Sequence, residues 1–140
     1  MKSVIVLSSV SILALISLLH MYWAYGGRWG VGAVIPSKAG ELKPAFTPGK
    51  SVTLLVAVLL LTVCLILLVQ GGYIAVLPAN SVTKTGCIVC ASVFFLRSAG
   101  DFRHVGFFKK VKHTVFARND TWLYSPLCLY IALTCTILLF

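Results

Sequence analysis

Acidic residues are nearly missing from this chain: Glu41, Asp101 and Asp120 are the only three in 140. Charged residues of both signs reach only 11%, against roughly 25% in an average soluble domain. That shortage excludes an ordinary water-facing surface and leaves a membrane composition. The chain also lacks an internal repeat, a low-complexity run and a phosphate-loop pattern, so it reads as one domain with no nucleotide signature. What it has instead is apolar sequence, 59% of the total, gathered in long blocks rather than alternating as in a soluble fold.

Four blocks can be drawn, over residues 4–25, 52–77, 82–99 and 121–140. Each approaches the ~20 residues that a helix needs to cross ~30 Å of hydrocarbon. The expected fold is all-α, an integral membrane four-helix bundle. The first block carries nothing more polar than serine from Val4 to Leu19, and Gln70 to Tyr73 look interfacial in the second. In the fourth, Pro126 removes a helical hydrogen bond. A span starting there would be short, so the expectation is a kinked helix capped by Asp120 or Thr121. A cleaved signal peptide is the competing reading of the first block. The run is too long for a 7 to 15 residue signal core and is bordered by Trp23 and Tyr25, which suit an interfacial belt.

Net charge is +9. Nucleic acid could explain it, but basic residues flank the apolar blocks, as the positive-inside rule requires. The first and third connections carry Arg28, Lys38, Lys43, Lys50, Arg97, Arg103, Lys109, Lys110, Lys112 and Arg118, whereas Lys2 and Lys84 are the only basic residues on the other side. The expectation is therefore a cytoplasmic-membrane protein with those two connections inside and both termini outside. On that orientation the sequon at Asn119 to Thr121 faces the cytoplasm and reads as a helix cap.

Two stretches carry residues able to do chemistry. His20, Trp23, Ala24 and Gly27 fall at helical spacing and share a face if the first helix runs on to the glycines. A histidine there could titrate, meet a ligand head group or bond across the bundle. In the second stretch Arg97 and Asp101 are four apart and expected to pair. Phe102, Val105, Phe107 and Phe108 then interleave with Arg103, Lys109 and Lys110, the pattern of a segment lying among headgroups. The residues expected to line a ligand site are His20, Trp23, Arg97, Asp101, Arg103, Phe107 and Lys109. Arg97, Arg103 and Lys109 would meet an anionic lipid or amphiphile, with Trp23 and Phe107 against its apolar part. The weighed alternative for the second stretch is a plain positive-inside loop.

Five cysteines open a redox alternative. Cys87 and Cys90 form a C-x-x-C near one end of the third block, which suits a membrane thiol oxidoreductase. Such a relay needs a second, water-exposed pair; Cys64, Cys128 and Cys135 do not supply one, and buried cysteine packs as a small hydrophobe. The cysteines and His20 are too scattered for zinc, so no metal and no cofactor is expected. A small proton-coupled exporter is the other alternative. It needs a carboxylate inside a span, and none falls within the four blocks. The partners expected are membrane lipids, anionic ones above all, with no nucleic acid and room for a homo-oligomer.

The stretches His20 to Gly30 (HMYWAYGGRWG) followed by Ile35 and Pro36, Leu96 to Lys110 (LRSAGDFRHVGFFKK), Phe116 to Thr121 (FARNDT) and Tyr124 to Cys128 (YSPLC) resemble a small bacterial membrane family catalogued as domain of unknown function 3995. The resemblance covers nearly the whole chain. It implies a bacterial cytoplasmic-membrane protein with four spans, and it implies no activity.

Overall fold

The structure is a computed structural model that describes residues 1–35, 47–101, 105–110 and 112–140. Its described residues form helices α1 (Lys2–Ala24), α2 (Val31–Val34), α3 (Lys50–Gln70), α4 (Ser81–Ala99), α5 (Val115–Asn119), a π-helical turn (Asp120–Tyr124) and α6 (Ser125–Ile137), with no strand among them. The chain is an all-α membrane bundle in which α1 packs on α3, α3 on α4, α4 on α6 and α6 back on α1. Three helices, α1, α3 and α4, are long and apolar enough to cross a bilayer.

The distribution of side chains is that of a bundle in lipid. Leu7, Leu15, Leu18, Leu55, Leu59 and Phe95 face outward, whereas Ser9, Ser17, Thr134 and Cys135 are buried. Lipid tails are as apolar as leucine, so burying leucine gains little, and close approach with interhelical hydrogen bonds holds the helices. Ser9 Oγ meets Thr134 Oγ1 at 2.8 Å, Ser17 donates to the Ala57 carbonyl at 2.8 Å, and Ser8 Oγ lies 2.7 Å from the Tyr130 hydroxyl. Val6, Leu13, Val63, Leu67 and Ile131 fill the space between with Cys64, Cys90 and Cys135.

Backbone chemistry sets the helix ends. After α3, Gly72 takes a left-handed φ of 76°, and the Gly72 and Tyr73 N–H groups donate to the Val69 and Leu68 carbonyls, a Schellman ending. The second span therefore closes at Gln70, short of the expected 77. A like ending at Gly26 stops α1 at Ala24, so Gly27 lies beyond the helix and off the face expected for it with His20 and Trp23. Asn80 caps α4 with a capping box, its Oδ1 accepting from the Val82 and Thr83 amides.

The fourth helix departs furthest from expectation. It begins at Val115, capped by Thr114, whose Oγ1 accepts from the Ala117 amide at 3.0 Å, so Asp120 is an interior residue and not a cap. Proline cannot donate, and its ring crowds the carbonyl four residues back. The chain answers with the wider turn just before Pro126, where the Ser125 amide donates to the Asp120 carbonyl. From Val115 to Ile137 the helix runs on through this turn for about 34 Å.

Candidate functional site: a buried charge cluster at the basic end

Entering the fourth helix early carries Asp120 into the bundle, where it is fully buried. Arg97 Nη2, from the last turn of α4, donates to Oδ1 at 3.0 Å. Lys109 Nζ at 2.9 Å, the Gly106 amide at 2.7 Å and Ser125 Oγ at 3.3 Å all donate to Oδ2. A carboxylate offers about four lone-pair sites, and four donors fill them. Lys109 is equally spent: its ammonium also reaches the Gly106 carbonyl at 3.0 Å and Thr121 Oγ1 at 2.6 Å. An isolated buried ion would cost several kcal/mol, which is why every member arrives with partners.

Two glycines allow the chain to reach this geometry. Gly100 and Gly106 both have left-handed φ, 92° and 88°, and their backbones touch: a Cβ on Gly106 would collide with Gly100 Cα and the Ala99 carbonyl. The segment after them lies against the end of α4, with the Phe107 amide bonded to the Ser98 carbonyl at 2.9 Å. The cluster thus pins residues 105–110 onto the bundle.

Of the residues expected to form a site, Arg97 and Lys109 are brought together, on Asp120. The expected Arg97–Asp101 pairing is not the one formed: Arg97 binds Asp120, and Asp101 accepts from the Val105 amide at 2.9 Å. The reason is reach. An exposed i, i+4 pair gains little, whereas a buried carboxylate requires a cation. Phe107 points outward. Arg103 lies outside the described residues. His20 and Trp23 form a separate group, in which His20 Nδ1 donates to the Ile16 carbonyl at 2.8 Å, the two rings meet edge-on at 5.2 Å, and Trp23 Nε1 donates to the Trp29 carbonyl at 2.8 Å. None of these three contacts reaches Asp120. The ends of α1 and of the fourth helix do meet, through α2 on α5 and Tyr124 Oη donating to the Ala33 carbonyl at 3.2 Å.

Sequence reasoning missed Asp120 as the hub and Ser125 and Thr121 as its neighbours. The fourth block was expected to begin at 121, and the helix instead begins at Val115 and so includes Asp120. The thiols sit elsewhere: Cys87 on α4 and Cys135 on α6 are both fully buried, and Cys64, Cys90 and Cys135 pack in the apolar core. Among the described residues no group of three or more His, Cys, Asp or Glu is placed to hold a metal.

These features define a helical membrane protein that carries, among its described residues, an internal salt-bridge cluster at its basic end. The chain belongs to the family described as "Protein of unknown function (DUF3995)", whose profile matches residues 13–135. No curated protein and no solved structure matches it.

Proposed function

We propose that this is a non-enzymatic, four-span protein of a bacterial cytoplasmic membrane that binds anionic lipid or a related amphiphile at its basic end. That end would face the cytoplasm, with both termini outside. The observation that carries the reading is the surface left once Arg97 and Lys109 are used internally. Arg28, Lys50, Lys110, Lys112 and Arg118 are exposed at the end where α1 and α4 stop, and Tyr25, Trp29, Phe107, Phe108 and Trp122 are exposed beside them. Aromatic rings favour the headgroup boundary, and basic residues there attract anionic leaflets by about 1 kcal/mol each. The ligand-facing cations are therefore assigned to Lys110, Lys112 and Arg118, while Arg97 and Lys109 hold the segment in place.

Native mass spectrometry of the detergent-solubilised protein, with phosphatidylglycerol or phosphatidylcholine added in equal amounts, tests the reading. Phosphatidylglycerol should be retained several-fold better, and the preference should fall in the Arg28→Gln, Lys110→Gln double variant but not in Lys2→Gln, Lys84→Gln. Equal retention of the two lipids would refute it.

A further inference from the structure

One hollow at the basic end differs in kind from the surface around it. It holds about 240 Å³ and is lined by Lys112, His113, Thr114, Val115 and Arg118, with no carboxylate among them. Drug-sized ligands occupy pockets of roughly 300–1,000 Å³, so this one suits a single small group. Lys112 and His113 come from the connection after α4, and Arg118 comes from the first turn of the fourth helix, whose start is held by the Thr114 cap. Lys112, His113 and Arg118 therefore border one space, where the end of the connection meets the capped start of the fourth helix.

Depth identifies the occupant. Trp122, 80% exposed, lies on the same helix about 6 Å deeper than Arg118, and tryptophan marks the boundary of the hydrocarbon. The headgroup layer on each side is roughly 5–8 Å thick, half the difference between the whole bilayer and its core. The hollow is then level with lipid phosphates. Lys112 and Arg118 bring two permanent positive charges, which match a phosphate monoester at about −1.5 to −2 better than a singly charged diester.

Resting on the lipid-binding reading above, we propose that the hollow lined by Lys112, His113 and Arg118 seats the phosphate of an anionic lipid and prefers a phosphomonoester headgroup. Arg118 would grip two phosphate oxygens with its planar fork, and Lys112 would act as the second, more mobile charge.

The test titrates the detergent-solubilised protein with dioctanoyl phosphatidic acid, dioctanoyl phosphatidylglycerol and inorganic phosphate, read by native mass spectrometry. Phosphatidic acid should bind about tenfold tighter than phosphatidylglycerol. Lys112→Gln, Arg118→Gln should abolish that ratio without lowering the melting temperature, and Lys110→Gln should weaken both lipids while leaving the ratio intact. A ratio near one in the unaltered protein, or a ratio that survives the double substitution, overturns the pocket while leaving general anionic-lipid binding standing. Inorganic phosphate that displaces phosphatidic acid at equal concentration overturns the lipid assignment. Failure of both lipids to bind overturns the broader reading as well.

Discussion

Asp120 shows how one residue's surroundings dictate its role. Its carboxylate balances two cations in a cluster that carries one net positive charge, so the three charged members are not equivalent. Asp120→Asn would leave Arg97 and Lys109 without an anion and should cost about 3–5 kcal/mol. Lys109→Met would remove three hydrogen bonds but leave a balanced Arg97–Asp120 pair, so it should destabilise less. Asp101→Asn, at an exposed position, should be the mildest. Thermal melting in detergent gives the order; if Asp101→Asn proves as damaging as Asp120→Asn, the cluster is not the organising feature of this end.

At the scale of elements, the connection after α4 is held by backbone contact as much as by charge. Gly106 presents its amide to Asp120 and its Cα face to Gly100, in a conformation that side chains rarely adopt. Gly106→Ala should therefore lift residues 105–110 from the bundle and release the Lys109 side chain. Trypsin cleaves after a lysine only when its side chain can enter the protease, and Lys109 is 3% exposed. Cleavage after Lys109, followed by mass spectrometry, should rise several-fold in the variant, with cleavage after Lys84 as the internal standard. Unchanged cleavage after Lys109 would mean that the segment is held without the glycine contact.

For the whole molecule, interhelical bonds order the ends of the bundle. Gln70 reaches the Leu138 carbonyl and accepts from Thr83 Oγ1, so the close of α3, the start of α4 and the last turn of α6 share one end. Tyr130 Oη donates to the Ile5 carbonyl, which brings the start of α1 to that same end. The charge cluster sits at the other. Both termini should thus lie on one side of the membrane, and the basic excess at the opposite end predicts, by the positive-inside rule, that this side is the outside. A C-terminal alkaline phosphatase fusion should be active and a C-terminal fluorescent reporter dark. The reverse pattern would mean an inverted orientation.

The sequence by itself determined the class of molecule and most of its elements. Long apolar blocks with so little charge have only one comfortable solvent, and helices are the structures that satisfy their own backbone in it. The first and third blocks were legible as helices from their length and apolar character alone, whereas the ends that Gly26 and the Asn80 cap set emerge from the backbone bonds. The second block was drawn too long because apolar residues continue past the glycine that ends the helix. Tertiary structure alone decided the partners of the charges. A spacing of four residues pointed Arg97 at Asp101, but the strength of an ion pair depends on burial. Burial of Asp120 arises only when the fourth helix starts at Val115, widens before Pro126 and packs against α4. Lys109 likewise looks like one basic residue among six in its connection, and only the fold sets it apart from Lys110 and Lys112. Hydropathy is additive along a chain and can be read from it, whereas desolvation and long-range pairing depend on which segments meet.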